Sequence, residues 1–295
     1  MNPGTIETFD LALPHGITLS CRAAGAPGAP LLVFLHGFPE GAFVWDELLA
    51  HFAPRYRCIA PNLRGFERSS SPVEVEAYRA KHLVADIRAL IAAQGGRAAA
   101  LVAHDWGGAV AWSLAALHPE LLERLVIVNS PHPATFLREL RDNPAQQAAS
   151  AYMNFLCRPD AEALLAADDF ARLWPFFEMM GASWLTESVR ERYRAVWRHG
   201  LTGACNYYRA SPLRPPTGPD DAIHTLQLPA AMVTVRVPTH VVWAEADIAL
   251  PPALLDGLDA FVPQLTLTRV PGATHWIVHE RPALVAAEIE RALAA

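Results

Sequence analysis

Val102-Ala103-His104-Asp105-Trp106-Gly107-Gly108 is the stretch that indicates the fold most directly. An apolar run at residues 98–103 leads into it, and a helical pattern at residues 109–117 follows it. Ala103 and Gly107 lie two residues on either side of Asp105, and a sharp turn from a strand into a helix requires small neighbours at those places. The turn would put Asp105 at a helix N-terminus, where backbone N–H groups and the helix dipole stabilise an anion.

A carboxylate at this turn suggests a nucleophile. A serine in the same place would attack a carbonyl carbon, whereas an ionised carboxylate can attack a saturated carbon that bears a leaving group. The product is an ester in which Asp105 supplies the acyl half, and water must then attack the carboxyl carbon of that residue. The alternative is that Asp105 is only the N-cap of the following helix, a position that Asp occupies well.

The order of elements before residue 130 is typical of an α/β fold. Residues 5–25 alternate in the manner of a hairpin, with Pro14-His15-Gly16 at the turn. Short apolar runs then alternate with helical patterns, which predicts a mostly parallel sheet flanked by helices. The runs lie at residues 31–35, 56–60, 98–103 and 125–128, and the helical patterns at 43–52, 75–94 and 109–117.

The alternation stops after Ser130. The following segment is helical and rich in aromatic residues, and we expect it to be a cap of residues 131–228 inserted into a core domain of residues 1–130 and 229–295. The core then resumes with strands at 240–243 and 265–270, a helix that starts at Pro251 and a last helix from Pro282 to near Ala294.

A second turn supplies candidate groups around the nucleophile. The run at 31–35 leads into His36-Gly37-Phe38-Pro39, where Gly37 permits close approach of the backbone and the proline bond is a candidate for the cis form. The amides of Phe38 and Trp106 are the expected oxyanion donors. His36, Pro39 and Trp106 are expected to line the substrate pocket.

The general base and its acidic partner are expected from two later strand ends. Val270-Pro271-Gly272-Ala273-Thr274-His275 places a histidine beyond a strand and a glycine turn, and we expect His275 to activate the hydrolytic water. Asp247 would orient the imidazole and stabilise its charged form. Glu245 is the alternative acid, and Asp247 is preferred because it lies further into the loop beyond the strand. His279 is the nearest competitor for the base.

The composition excludes several other classes of protein. The chain has 295 residues, a formal net charge of −6 and no run of Lys and Arg, which argues against nucleic acid or an anionic membrane as a partner. No secretory signal and no apolar run long enough to span a bilayer is found, so a cytoplasmic location is expected. The four cysteines form no metal-binding or redox motif. No metal or cofactor is expected, and the sequence leaves a homodimer as an open alternative to a monomer.

The motifs taken together resemble the epoxide hydrolases of the α/β-hydrolase superfamily. The resemblance extends from about residue 6 to the C-terminus and rests on four motifs in order, His36-Gly37-Phe38-Pro39-Glu40, Asn62-Leu63-Arg64-Gly65, His104-Asp105-Trp106-Gly107-Gly108 and Asn129-Ser130-Pro131-His132-Pro133. It implies the α/β-hydrolase fold with an inserted helical cap, and a reaction between a small apolar epoxide and water.

The resemblance also implies two tyrosines in the cap. Tyr152 precedes Pro159 and Ala161-Glu162, and Tyr208 lies in Asn206-Tyr207-Tyr208-Arg209, which matches the positions that hold the epoxide oxygen in the family. Opening an epoxide develops an alkoxide, and a phenol can both donate a hydrogen bond to it and give it a proton. The alternative is that each tyrosine is a half-buried aromatic residue with its hydroxyl in water.

Two other functions remain open at this stage. Haloalkane and haloacid dehalogenases of the same fold use the same aspartate nucleophile. This chain has Phe38 where the haloalkane enzymes often have Asn, and Trp106 and Ala109 where the fluoroacetate enzymes have arginines. A non-catalytic ligand-binding protein on the same fold is a third alternative, but such proteins typically lose part of the catalytic set. A further departure is Glu67, where the family usually has a small residue.

Overall fold

Eight strands form one sheet in the computed structural model, which describes residues 4–294. The strands are β1 (Glu7–Ala12), β2 (Thr18–Ala24), β3 (Leu31–Leu35), β4 (Arg57–Pro61), β5 (Ala100–His104), β6 (Leu125–Val128), β7 (Thr239–Ala244) and β8 (Leu265–Val270). Their order across the sheet is β1-β2-β4-β3-β5-β6-β7-β8. The β1–β2 hairpin and the β2–β4 pair are antiparallel, and every later pair is parallel.

Helices cover both faces of the sheet, which is why the strands from β3 to β7 are buried at every position. The helices of the sheet domain are α1 (Asp46–Phe52), α2 (Ala80–Ala93), α3 (Asp105–Leu117), α12 (Ile277–Glu280) and α13 (Pro282–Ala294). The expected α/β-hydrolase arrangement of a mostly parallel sheet with flanking helices is confirmed.

The chain between β6 and β7 is helical. It contains α4 (Pro133–Asp142), α5 (Pro144–Ala149), α6 (Tyr152–Leu156), α7 (Ala161–Phe170), α8 (Trp174–Glu178), α9 (Glu187–Trp197), α10 (Thr202–Ala210) and α11 (Ala230–Val233). We call residues 133–233 the helical segment. Its division from the core as a cap of residues 131–228 stays a prediction.

Four predicted helices differ from the structure. The helix expected at 43–52 is a 3₁₀ turn, Ala42–Trp45, followed by α1. The helix expected at 75–94 is broken by an extended Arg79 into a 3₁₀ turn, Val75–Tyr78, and α2. The helix expected from 109 begins four residues earlier, at Asp105. The helix expected from Pro251 is wrong, because only 3₁₀ turns form at Pro252–Leu255 and Leu258–Ala260, separated by Gly257 in the left-handed conformation.

Two further observations concern the chain as a whole. None of the helices described is both long and apolar enough to cross a membrane. All four cysteines, at positions that the structure describes, are free thiols, and three of them are buried.

Candidate active site

The turn at Asp105 brings the carboxyl ends of β3 and β5 into close contact. Asp105 has a φ of 48°, in the left-handed region that non-glycine residues rarely adopt. A Cβ at Gly107 would lie only 2.5 Å from the carbonyl oxygen of Leu35, and one at Gly108 would collide with the side chain of Ser130. The small residues noticed in the sequence are therefore needed, because the backbone of α3 packs directly on its neighbours.

One backbone amide holds the Asp105 carboxylate, and one side chain holds the backbone of the same residue. The amide of Phe38 donates a hydrogen bond of 2.7 Å to Oδ1 of Asp105. The hydroxyl of Ser130 donates to the carbonyl oxygen of Asp105 at 2.6 Å and so fixes the turn itself. Within residues 4–294 the Trp106 amide donates no hydrogen bond to this carboxylate. Of the two oxyanion donors expected from the sequence, Phe38 is the one already in position.

Asp105 faces His275, whose other side is held by Asp247. Nε2 of His275 lies 3.9 Å from Oδ2 of Asp105, and Nδ1 of His275 lies 2.6 Å from Oδ2 of Asp247. The alternative acid, Glu245, instead lies 3.4 Å from the guanidinium of Arg269. The structure thus brings Asp105, His275 and Asp247 together in one row and leaves Glu245 outside it.

Three donors hold the Asp247 carboxylate besides His275. Its Oδ2 accepts a hydrogen bond from the side-chain amide of Asn129 at 2.9 Å, and its Oδ1 accepts from the amides of Ala249 at 2.9 Å and Leu250 at 3.0 Å. These donors satisfy a carboxylate that is almost completely buried, which would otherwise be costly.

The pKa values of His275 and Asp247 follow from these contacts. Burial opposes the charged form of His275, but the charge of Asp247, the hydrogen bond to it and the charge of Asp105 outweigh burial and raise the pKa of His275 to about 9. Burial likewise opposes ionisation of Asp247, yet His275 and the hydrogen-bond donors lower the pKa of Asp247 below its ordinary value. Asp247 and His275 therefore stabilise each other as an ion pair.

Tyr152 and Tyr208 meet Asp105 at the junction of two cavities. Both tyrosines line, together with Asp105, a cavity of about 340 Å³ on one side and a narrower one of about 70 Å³ on the other. Their rings lie 6.1 Å apart in an edge-to-face arrangement. Burial, reinforced by the charge of Asp105, raises the pKa of both phenols, so each keeps its proton.

The larger cavity is lined mainly by apolar side chains of the core and the helical segment. Its walls include Phe38, Phe176, Met180, Ile248 and Trp276. Trp106 lines the narrower cavity, and its ring meets that of Tyr208 edge-on at a centroid distance of 5.1 Å. The site can therefore accept an apolar molecule next to the carboxylate of Asp105.

The expected pocket must be corrected at His36 and Pro39. Among the residues described, neither lines a cavity that contains Asp105. His36 is fully buried, accepts a hydrogen bond from the amide of Leu63 at 3.0 Å and contacts the carbonyl of its neighbour Gly37. The Phe38–Pro39 bond is cis, and the carbonyl of Pro39 accepts from the indole of Trp197. Both residues therefore stabilise the turn through contacts in the protein interior and not in the cavity.

The sequence reasoning missed a buried polar cluster behind His275. Nε2 of His104 contacts the carbonyl oxygen of His275 at 2.9 Å, and Nδ1 of His104 contacts Glu40 at 3.1 Å. Glu40 also accepts from the hydroxyl of Tyr193 at 2.9 Å and contacts His279 at 3.1 Å. His104 and Glu40 stand in the motifs quoted above, but nothing in the sequence indicates that they meet, or that Tyr193 of the helical segment joins them.

Other candidates for chemistry are not supported. Within the described part of the chain, no group of three or more His, Cys, Asp or Glu side chains is arranged to hold a metal ion. His279 is not near Asp247 but contacts Glu40 and stacks on Trp184 at a centroid distance of 4.0 Å. Glu67 has a φ of 49°, and its carboxylate accepts from the hydroxyl of Ser20 at 2.9 Å, so it connects its loop to β2.

Comparison with known proteins agrees with this fold. Residues 30–282 match the family model described as the alpha/beta hydrolase fold, which defines the class of protein. The chain is 35% identical over 277 residues to the AB hydrolase superfamily protein YfhM of Bacillus subtilis (strain 168), covering 92% of each chain. It is 31% identical to epoxide hydrolase 4 of Mus musculus, over 92% of this chain and 74% of that protein.

A solved structure is similar over nearly the whole length. It is one of the novel epoxide hydrolases of the α/β-hydrolase superfamily from metagenomes of hot environments, with 38% identity, a TM-score of 0.88 and coverage of 99% of both chains. The chain belongs to the epoxide hydrolase family of the α/β-hydrolase superfamily, and it is a hydrolase.

Proposed function

We propose that this protein hydrolyses epoxides to vicinal diols through a covalent ester on Asp105. The observation that carries the proposal is the junction of the two cavities, where a carboxylate nucleophile, two protonated phenols and the imidazole of His275 all face the same space. The relatives named above, which are called epoxide hydrolases, support the choice of substrate.

In the first step a carboxylate oxygen of Asp105 attacks an epoxide carbon. Oδ1 is held by the Phe38 amide, so Oδ2 is the oxygen free to form the new C–O bond. The ring C–O bond breaks at the same time, and its electron pair becomes an alkoxide. Tyr152 and Tyr208 donate hydrogen bonds to that oxygen, and one of them gives it a proton.

In the second step water attacks the carboxyl carbon of Asp105. His275 accepts a proton from the water through Nε2, and Asp247 stabilises the imidazolium that results. The tetrahedral oxyanion forms at Oδ1, where the Phe38 amide is already placed as a donor. When the C–O bond to the substrate breaks, the leaving oxygen takes the proton from the His275 imidazolium and the diol departs. The new carboxylic acid of Asp105 gives up its proton to restore the phenol, so the carboxylate and both partners return to their starting states.

The ester leaves more of His275 in the neutral form that can accept a proton, at the step that needs a base. The negative charge of Asp105 is one of the causes that raise the pKa of His275. Esterification removes that charge, so the pKa of His275 falls in the covalent intermediate and more of the imidazole is neutral near pH 7. In the free enzyme the same charge favours the imidazolium.

The apolar lining of the larger cavity supports a small apolar epoxide, with water as the second substrate. The cap role of the helical segment and the cytoplasmic location belong to the same proposal. A dehalogenase is not favoured, because Phe38 contributes only its amide and a ring that packs on Tyr208 at a centroid distance of 5.3 Å.

A single turnover in oxygen-18 water tests the mechanism. With enzyme in excess over an aryl epoxide such as styrene oxide, mass spectrometry of peptides should find oxygen-18 in Asp105, because water attacks its carboxyl carbon. The peptide that contains Asp247 serves as the internal control and should stay unlabelled. Label that appears only in the diol, with none in Asp105, would overturn the ester mechanism.

A further inference from the structure

Gln146 of α5 connects the helical segment to the loop that carries Asp247. Its side chain is completely buried. The side-chain NH₂ group donates one hydrogen bond to the carbonyl oxygen of Ala249 at 3.0 Å and another to the hydroxyl of Ser150 at 2.8 Å. Ala249 O can only accept, so the amide must present its nitrogen to the loop, which fixes its orientation.

The contact with Ala249 acts on Asp247 through a single peptide unit. The carbonyl oxygen of Ala249 and the N–H of Leu250 belong to one planar trans peptide and point in opposite directions. Gln146 holds the oxygen, and the N–H at the other side of that plane donates to Oδ1 of Asp247 at 3.0 Å. Rotation of this peptide would break both hydrogen bonds together.

We propose that Gln146 is a positioning residue for the base of the reaction, because it fixes the peptide whose N–H group holds the Asp247 carboxylate against His275. Only the expected effect of Gln146 on turnover rests on the proposed function. The coupling between Gln146, Asp247 and His275 is a property of the folded protein and can be measured without a substrate.

The neighbouring Gln147 provides a matched control. Its side-chain amide also donates two hydrogen bonds, which are partly buried, to the carbonyl oxygens of Leu140 at 2.9 Å and Arg141 at 3.1 Å. Both acceptors lie within the helical segment, so Gln147 does not reach the loop after β7. Replacing either glutamine by Leu removes a similar pair of hydrogen bonds from the same helix.

The experiment compares Gln146→Leu with Gln147→Leu by NMR titration of the His275 ring. In Gln146→Leu we expect the pKa of His275 to fall by about one pH unit, because a carboxylate no longer held 2.6 Å from Nδ1 stabilises the imidazolium less. In Gln147→Leu it should stay at the wild-type value. Ser150→Ala, which leaves the contact with Ala249 intact, should also behave as the wild type.

Two further readouts keep the outcome decisive. Gln146→Met keeps the length of the side chain and removes the donor, so it should lower the pKa of His275 even if Gln146→Leu folds poorly. Hydrolysis of the covalent ester should slow about tenfold in the Gln146 variants, because the imidazolium that forms as His275 takes a proton from water is stabilised less when Asp247 is not held against it. The rate of ester formation should stay unchanged.

An unchanged His275 pKa in both folded Gln146 variants would overturn the positioning role, whatever the enzyme acts on. An equal fall in Gln146→Leu and Gln147→Leu would also overturn it, since that would indicate a general loosening of α5. If the pKa falls as expected but Asp105 of the wild type takes up no oxygen-18, the positioning role stands and the proposed reaction fails.

Discussion

Replacing Asp247 by Asn should remove a specific pH dependence of stability. The pKa of His275 in the folded protein is about 9, against an ordinary value of 6.5. Because the folded-state pKa is the higher one, the stabilisation is fully present below pH 6.5 and is lost as the pH rises to 9. The difference between the two values corresponds to about 3 kcal/mol of the free energy of unfolding.

This pH window isolates His275 from the other buried groups. Burial lowers the pKa values of His36 and His132 to about 4, so these residues affect stability only below pH 6.5. Burial raises the pKa values of the Cys21, Cys58 and Cys205 thiols to about 12, so they act only above their ordinary value of 9.

The assay is urea unfolding at pH 6.5 and at pH 9, with the free energy of unfolding extrapolated to water. The free energy of unfolding of the wild type should fall by about 3 kcal/mol between the two pH values. In Asp247→Asn it should fall by less than about 1 kcal/mol, because burial then determines the pKa of His275 and lowers it. Glu245→Gln is the control and should follow the wild type. A variant Asp247→Asn that loses as much stability as the wild type would refute the ion pair as the cause, and so would a loss of pH dependence in Glu245→Gln.

Three other variants test the remaining parts of the site. Tyr152→Phe combined with Tyr208→Phe should reduce epoxide opening by at least about 100-fold in a stopped-flow assay, because the alkoxide loses its proton donors, and unchanged turnover would remove the tyrosines from the mechanism. His275→Gln should let the ester accumulate on Asp105, visible as the mass of one substrate added to the intact protein; steady turnover without accumulation would assign the base elsewhere. Gly108→Val should lower the midpoint of thermal unfolding by several degrees, because the new side chain collides with that of Ser130, and a wild-type midpoint would show that α3 can move away.

The parts of the site that the sequence indicates are those fixed by local geometry. Asp105 could be recognised because a strand, small residues and a helix stand next to each other in the chain, and His275 because it follows a strand and a glycine turn. The strands could be placed because buried parallel strands are short apolar runs. The helix expected from Pro251 failed because the Leu-rich pattern there continues across Gly257, which the backbone uses for a left-handed turn.

The parts that could not be predicted depend on contacts between distant segments. His36 follows a strand in the same way as a pocket residue would, and only the position of Leu63 shows that its ring points into the protein. Gln146 lies in an unremarkable Ala- and Gln-rich stretch, about a hundred residues before the loop that it holds. Such partners need no local signal, because a buried donor has only to meet an acceptor once the fold is complete.

The order of the strands explains why two consecutive residues, Asn129 and Ser130, hold both acidic residues of the site. β6 lies between β5, which ends at the nucleophile, and β7, which ends at the acid. Beyond the end of β6, Asn129 turns one way and donates to Asp247, while Ser130 turns the other way and donates to the backbone of Asp105. Asn129 has a φ of 38°, and its side chain also pairs with the backbone of Ala244 at the end of β7, so the turn is held on both sides. The distance between nucleophile and acid is thus set by one rigid turn rather than by two independent loops, and His275 fits between them.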